Sequence, residues 1–469
     1  MVIIPKSWFT LAALLSFLLT AAFLQWWQVP SYPRELWIIL GLSTLLFIGV
    51  GLITHSGLSF LFLCITLGAS AGFFRVAQTT HVTDQTSVEF YAVTRQEGQK
   101  EKDLPKVTLH GYISEEPDRR PMQTKYTVEV DGGKVLVTDH AFYPLHAYGD
   151  EVTVTGILER PTQIEDFHYD RYLSRYGIYS VIYRGTVETL SSNHGSSFFS
   201  FLYTLKHRFE HKLNRLLPEP HASFMAGLLT GSRRGIPEHL LNDFQRTGLT
   251  HIIAISGYNI AIVIAVITGA LFFLPLKFRF VPAIFAIIFF TLFVGASPSV
   301  VRAAIMGGLS LFALHVGRER HSLIAILLAA ALMAAWNPKF LWYDAGFQLS
   351  FLAVFGLSFL APFLERFFKP IPNILGLRES LQMTIAAQIT AVPLIIILFG
   401  QFSLVAPLAN ILVAPFIPIA MLFGFLGALV GFLSEPMGLL VAYFGWGALE
   451  AVIRIAEFLA KLPYASISV

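Results

Sequence analysis

The stretch Gly248-Leu-Thr-His-Ile-Ile-Ala-Ile-Ser-Gly-Tyr-Asn-Ile260 sets His251, Ser256, Gly257, Tyr258 and Asn259 in an otherwise apolar run. Polar groups are costly in hydrocarbon, so they normally face partners or water. Gly257 removes a side chain and permits close helix approach or an unwound turn. Plain helix packing accounts for Ser256 and Gly257 equally well, and a satisfied structural histidine accounts for His251. Further on, Ser297-Pro-Ser-Val-Val-Arg-Ala-Ala-Ile-Met306 places Arg302 one turn inside a second apolar run. A guanidinium there must pair, snorkel or meet water. Asp344, followed by Gly346-Phe-Gln-Leu-Ser350, opens a third. At similar depth, Arg302 and Asp344 are expected to approach each other and frame a polar entrance. An ordinary interfacial salt bridge is the competing account. Gln348, Gln388, Asn259 and Asn410 are further polar groups able to line a wet path. A pore for a polyanion needs a cation near its mouth and few acids within.

Other chemistries are missing from the pattern. No Gly-rich phosphate loop ending in Lys-Ser/Thr occurs, and no His-Glu-x-x-His. His207 and His211 stand at i, i+4 with no third ligand near them, which suits a solvated helix face better than a metal. Gly231-Ser-Arg-Arg-Gly235 is too short for a phosphate cradle. The expectation is a protein with no catalytic residues, no metal and no cofactor. The single cysteine, Cys64, allows no disulfide within the chain.

The elements that must position these residues are membrane helices. Of 469 residues, 55% are hydrophobic and only 13% charged, about half the charge of a soluble domain. Lipid replaces water around such a chain. Three apolar segments open it, near Ser7–Trp27, Trp37–Ile53 and Leu58–Phe74. The first is too long and aromatic for a signal peptide and reads as an anchor. After residue 251 come Ile252–Leu274, Phe280–Gly295, Val300–Val316, Leu323–Trp336, Ala345–Leu364, Thr384–Gly400, Leu404–Leu433 and Leu439–Leu459. Pro407, Pro415 and Pro418 break the Leu404–Leu433 run into a kinked span or two pieces. The fold class expected is a polytopic α-helical membrane protein of roughly 11 spans.

Between the spans lies a polar, acidic stretch, with about 18 Asp/Glu against about 12 Lys/Arg over residues 76–198. Val107–Ile113, Tyr126–Val130, Lys134–Thr138 and Val152–Ile157 alternate as half-buried strands do. Asp131-Gly132-Gly133 is a hairpin turn. Asp170–Tyr176 reads as a short helix and Tyr179–Leu190 as a closing strand, giving a small inserted β-barrel of the OB type. Phe198–Leu217 and Glu238–Thr247 read as interfacial amphipathic helices. The domain division is therefore 1–75, 76–197, 198–250 and 251–469. Lys277 and Arg279, Arg318 and Arg320, and Arg366, Lys369 and Arg378 fall on alternate loops, hence on one cytoplasmic side. Residues 76–250 then lie outside the cytoplasm, which agrees with an odd number of spans after Lys6.

His251-Ile-Ile-Ala-Ile-Ser-Gly257 resembles the signature of the ComEC-type competence proteins, as does Ala226-Gly-Leu-Leu-Thr-Gly231. Val301-Arg-Ala-Ala-Ile-Met306 and Asp344-Ala-Gly-Phe-Gln-Leu-Ser350 match further motifs of that family in order. Gly149-Asp-Glu-Val-Thr-Val-Thr-Gly156 and Phe167-His-Tyr-Asp-Arg-Tyr-Leu173 resemble its outer domain. The resemblance covers nearly the whole chain. It implies a bacterial inner-membrane channel that passes single-stranded DNA into the cytoplasm during natural transformation. The implied partners are membrane lipid, a DNA receptor, a cytoplasmic translocation ATPase and a separate nuclease. Many members carry a metallo-β-lactamase-like nuclease domain at the C-terminal end. These 469 residues contain no His-x-His-x-Asp-His run, so degradation of the second strand is expected from another polypeptide or not at all.

Two other functions fit the composition. A small-molecule or lipid-linked transporter predicts inverted repeats with paired broken helices. A membrane scaffold recruiting partners through its outer domain predicts that Arg302 and Asp344 tolerate substitution. An OB barrel that holds DNA should be basic, yet this outer domain is acidic. Its aromatics, among them Phe142, Tyr143, Tyr148 and Tyr169, serve either base stacking or the core.

Overall fold

The computed structural model describes residues 5–27, 39, 41–46, 48–50, 57–94, 104–120, 122–141, 143–164, 168–232, 235–253, 257–317, 322–370 and 377–468. They form two compact units, His81–Lys212 and the remainder of the chain. Most of the first amphipathic helix groups with the β-rich unit.

The chain begins with α1 (Lys6–Trp27) and α2 (Gly57–Thr79), whose apolar lengths suit a bilayer. They pack on each other, with Phe9 and Phe60 edge to face at 4.9 Å. The expected second span, Trp37–Ile53, contains the shorter apolar helix Gly41–Val50. Arg75 on α2 donates to the carbonyls of Ala335 and Trp336. These are the last carbonyls of a later helix, which lack partners of their own and attract a cation.

The inserted unit follows. A 3-10 turn, Val88–Tyr91, leads into β1 (Lys106–Ile113), β2 (Asp118–Arg120), β3 (Gln123–Val130), β4 (Gly133–Asp139) and β5 (Glu151–Ile157). Then come α3 (Tyr169–Ser174), β6 (Ile178–Ile182), β7 (Thr186–Ser191) and α4 (Ser197–Leu216). The sheet order is β6-β4-β3-β1-β5-β7, with β2 paired to β3. β1 is antiparallel to β5, with Val107 opposite Gly156 and Leu109 opposite Val154. β4 and β6 run parallel. Beyond β5, Glu159 bridges Val181 of β6 through two backbone hydrogen bonds of 2.9 and 2.8 Å. Alternation puts Val128, Val135, Val137, Val152, Val154, Ile113, Ile182 and Val187 into one core with Tyr126. Each such side chain contributes about 1.5–3 kcal/mol of burial, set against the entropy of ordering its backbone.

One strand expectation is corrected. Tyr179–Leu190 is not a single strand: it turns at Tyr183-Arg184-Gly185 into β6 and β7, which pair with different neighbours. The exposed Tyr183 and Arg184 cannot continue a buried face, and Gly185 fits where a Cβ would meet Val137 Cγ1 at 2.5 Å.

The second unit resumes with α5 (His221–Thr230), α6 (Glu238–Arg246), α7 (Thr250–Ile253), α8 (Gly257–Ala270) and α9 (Leu276–Phe293). It continues through α10 (Pro298–Val316), α11 (Ser322–Trp336), α12 (Phe340–Tyr343), α13 (Ala345–Phe355) and α14 (Ala361–Phe368), the last two joined by a π-helical turn at Gly356–Leu360. α15 (Leu377–Phe399), α16 (Ala406–Val413), α17 (Phe416–Leu433) and α18 (Glu435–Ala460) complete it. Among the described residues seven helices are long and apolar enough to cross a membrane: Ser7–Trp27, Gly57–Thr79, Pro298–Val316, Ala345–Phe368, Arg378–Phe399, Phe416–Leu433 and Glu435–Ala460. Gly41–Val50, Gly257–Ala270, Phe278–Phe293 and Ser322–Trp336 are shorter apolar helices. The protein is therefore a polytopic helical membrane protein with a small β-sheet unit. The proline-rich run at 404–433 resolves as two helices, α16 and α17.

α5 departs from the expected interfacial layer. All ten of its residues are buried, because the α17/α18 hairpin has small residues that admit it. Met225 of α5 lies where a Cβ on Gly424 or Gly445 would have to sit. The hairpin itself is tight: a Cβ on Gly438 would stand 2.3 Å from Gly431 Cα. Without a hydrophobic drive between helices in lipid, such close backbone packing is a main source of association. Gly438→Val is accordingly expected to destabilise the protein by at least about 1–3 kcal/mol, read as a lowered thermal midpoint of tryptophan fluorescence in detergent. Gly447→Val, where a Cβ meets nothing within 4 Å, is expected to leave that midpoint nearly unchanged.

Candidate functional site

The sequence segments singled out for their polar residues meet in one chain of contacts within the helical unit. α5 is the first link. Its Leu228 carbonyl accepts a hydrogen bond of 3.3 Å from Asn259 Nδ2 on α8. Asn259 is buried to 1% exposure, so this amide serves as an interhelix tie at the start of α8. Gly227 lies against the chain leading into α8, where a Cβ would stand 3.4 Å from Ile253 O.

Arg302 is the second link. Ser297 and Pro298 start α10, with proline at a position where its missing N–H does not matter. Arg302 follows about one turn in and is 8% exposed. Its Nη2 occupies the space beside Gly257, where a Cβ would stand 2.7 Å away. Its Nε donates to Ser350 Oγ on α13. Nη1 lies 3.6 Å from Met306 Sδ, and the guanidinium is 5.9 Å from the centroid of Phe351. No carboxylate pairs with Arg302 among the described residues. A guanidinium carries five N–H donors; among the described residues its side-chain partners are Ser350 Oγ and the weakly accepting sulfur of Met306.

The expected contact between Arg302 and Asp344 does not form. Asp344 is the N-cap of α13, where its Oδ1 accepts from Phe347 N at 2.6 Å. Capping ties the carboxylate to its own helix start. Ser350 lies six residues on, about 9 Å along the axis, and it is that level of α13 which faces Arg302. Asp344 therefore sets where α13 begins, and Ser350 meets the cation.

The remaining candidates divide. Gln348 Nε2 donates to Leu341 O and Trp342 O at 2.9 and 3.1 Å, closing the end of α12. His251 Nδ1 is 3.0 Å from Gly248 O in an exposed turn, apart from the Arg302 contacts. Gln388 and Asn410 are half-buried on α15 and α16 and do not join the cluster. Ser256 lies outside the described residues.

Sequence reasoning missed two features. Ser350 closes the motif that starts at Asp344, yet nothing in its spacing marks it as the acceptor for Arg302. The second is a polar cluster where α5 meets α18: His221 Nε2 is 2.8 Å from Glu450 Oε2, and Arg454 Nε is 2.7 Å from Glu450 Oε1. The His221 ring lies 5.2 Å from that of Trp446. The i, i+4 spacing of Glu450 and Arg454 was the available signal. Among the described residues no group of three or more His, Cys, Asp and Glu could hold a metal ion.

The family model described as "Competence protein" matches residues 228–469, slightly more than half of the chain. It begins within α5 and takes in every contact of Arg302. A curated relative, ComE operon protein 3 of Bacillus subtilis (strain 168), is 29% identical over 343 residues, covering 71% of this chain and 41% of that protein. An uncharacterized protein of Aquifex aeolicus (strain VF5) is 28% identical over 238 residues, covering 50% of this chain and 53% of that one. The chain thus spans about half, or less, of the curated relatives it matches. No solved structure matches it.

Because Gly257 and Ser350 act through one guanidinium, their substitutions should not add. Gly257→Ala pushes Nη2 aside; Ser350→Ala removes a hydrogen bond to a charged group, worth about 1.5–3 kcal/mol. A double-mutant cycle read by detergent unfolding is expected to give a coupling of about 0.5–3 kcal/mol. Strict additivity would mean that the two sites do not share Arg302.

Proposed function

Since the chain belongs to the competence protein family, we propose that it takes part in DNA uptake as the membrane channel through which one DNA strand passes. The observation that carries this reading is Arg302: a cation in a membrane helix, buried, with no carboxylate partner among the described residues. Removing a charge from water costs several kcal/mol, and an unpaired one is strongly destabilising. A moving phosphodiester would supply the missing anion. The neighbours suit transient use. Ser350 orients Nε, Gly257 keeps the Nη2 edge clear of a side chain, and Phe351 offers a ring face, so the guanidinium is held without being neutralised. One strand rather than a duplex is the proposed cargo, as the family resemblance implies. In this reading the 469 residues perform no catalytic step and use no cofactor.

The finer architecture belongs to the same proposal. The seven long helices and the four shorter apolar ones among the described residues support roughly 11 crossings. The Glu159–Val181 bridge supports closure of the small sheet into an OB-type barrel. Lys277, Arg279, Arg366 and Lys369 mark the cytoplasmic side of the inner membrane, leaving the β-rich unit outside. Lipid surrounds the helices. A DNA receptor, a translocation ATPase and a nuclease would come from other polypeptides.

Import of end-labelled DNA into cells tests the channel. Arg302→Ala is expected to reduce import by at least about tenfold, the equivalent of one hydrogen bond to a charged group, while the protein still reaches the membrane. Normal import by that variant, or in a clean deletion, would refute the reading in favour of a transporter or scaffold. Topology has its own check. In a Cys64→Ser background, a cysteine replacing the exposed Asp131 should react with an impermeant thiol reagent on intact spheroplasts. Protection until lysis would reverse the orientation.

A further inference from the structure

We propose that the groove between α9 and α10 is a binding site for one anionic phospholipid, with an acyl chain along the groove and the headgroup phosphate beside Arg279. This inference stands apart from the import reading, and it holds whichever way the helices cross the membrane.

Two facing stripes make the groove. Ala304, Gly308 and Phe312 recur every fourth residue along α10, and Phe280, Ile284 and Ile288 do the same along α9. Between them the helices leave a cavity of about 430 Å³. Small residues give it depth: a Cβ on Gly308 would stand 3.3 Å from Ile284 Cδ1. Thr291 carries the one hydroxyl of the lining and donates it to Ile287 O on its own helix at 2.7 Å. The lining therefore offers a ligand no hydrogen bond. Ile288 and Phe312 are each 52% exposed, so the groove opens outward. Gly257 and Ser350, which meet Arg302, are not part of it.

Its length suits one leaflet. From Phe280 to Leu292 the groove runs about 18 Å along α9. Half of a bilayer's hydrocarbon core is about 15 Å.

Charge is gathered at one end only. Phe280 stacks on His315 at 5.0 Å with 23° between planes, and Phe312 lies 5.9 Å from Phe280. Arg279 stands next to Phe280, and its Nε and Nη2 donate to the carbonyls of Leu274 and Phe272. Neutral carbonyls hold the guanidinium in place without cancelling its charge. In the sequence Lys277 lies two residues before Arg279, and Arg318 and Arg320 follow α10. No Asp or Glu occurs from Phe244 to Arg318.

An apolar trench one leaflet long, with cations at a single end, is complementary to an amphiphile with a negative head. A zwitterionic lipid brings a cation of its own to that end and gains less. A second copy of the chain fits worse. Copies inserted alike and related by a two-fold axis would bring Arg279 against Arg279.

Photo-crosslinking tests the site. The full-length protein is placed in phosphatidylcholine nanodiscs with a minor share of phosphatidylglycerol bearing a diazirine in its acyl chain, and the adducts are mapped by peptide mass spectrometry. Adducts are expected to concentrate on α9 and α10 and to be competed by unlabelled phosphatidylglycerol. Arg279→Gln should reduce them about fivefold. Ala304→Leu, which fills the groove and leaves the charges in place, should abolish them, while labelling of exposed residues on α17 and α18 stays unchanged as an internal control. The proposal fails if adducts spread evenly over α9, α10, α17 and α18, or if a phosphatidylcholine carrying the same diazirine labels the groove equally. It also fails if two copies of the chain cross-link to each other through α9 and α10. The comparison of the two lipids uses the unmodified protein, so it decides the matter even if a variant does not fold.

Discussion

A guanidinium held within a membrane helix is the constraint around which the helical unit is organised. Arg302 cannot simply turn to water, being 8% exposed. Its neighbours are chosen for room and orientation, with no compensating charge. Glycine stands where a Cβ would collide, a serine hydroxyl accepts from Nε, and a thioether and an aromatic ring fill the rest. A carboxylate in that position would make a quiet ion pair. Its absence among the described residues leaves a cation with spare donors, which is a costly arrangement in low dielectric unless an anion visits it.

That arrangement depends on helices meeting at the right level, and the structure devotes several devices to it. Asp344 fixes the first turn of α13 and Gln348 closes the short α12 before it, which together bring Ser350 opposite Arg302. Asn259 ties α8 to the carbonyl of Leu228 on the buried α5. α5 is seated by Met225 against Gly424 and Gly445 in the α17/α18 hairpin. The hairpin is continued by a small sheet, Gln401–Ser403 with Ser466–Ser468, that pairs the end of α15 with the chain after α18. Among the polar residues flagged in the sequence, Asn259, Asp344 and Gln348 serve as ties and caps that set these levels.

In the β-rich unit the charge total conceals how the charges are placed. Summed over the unit, acids outnumber bases, which argues against a nucleic-acid surface. Resolved residue by residue, Glu115, Glu116 and Asp118 each have a basic partner: Lys134, Lys206 and Arg120. Arg175 and Lys125 also lie against tyrosine rings. Electrostatic recognition acts over the distance of the screening length, so the placement of charges decides it.

The sequence by itself determined that this is a polytopic membrane protein with an inserted strand-rich unit. Long apolar runs and period-two alternation follow directly from the hydrophobic effect and need no partner to be read. It also marked the segments around Gly257, Arg302 and Asp344, because polar residues in apolar runs stand out. It did not determine which of them touch. Arg302 meets Ser350 and Gly257 because of where three helices start and how closely they pack, and an N-cap two turns away decides that level. The burial of α5 was likewise invisible, since its fit depends on glycines some 200 residues distant. The split of Tyr179–Leu190 into two strands came from pairing with different neighbours. Local pattern fixes what each segment is; only packing in three dimensions selects its partners.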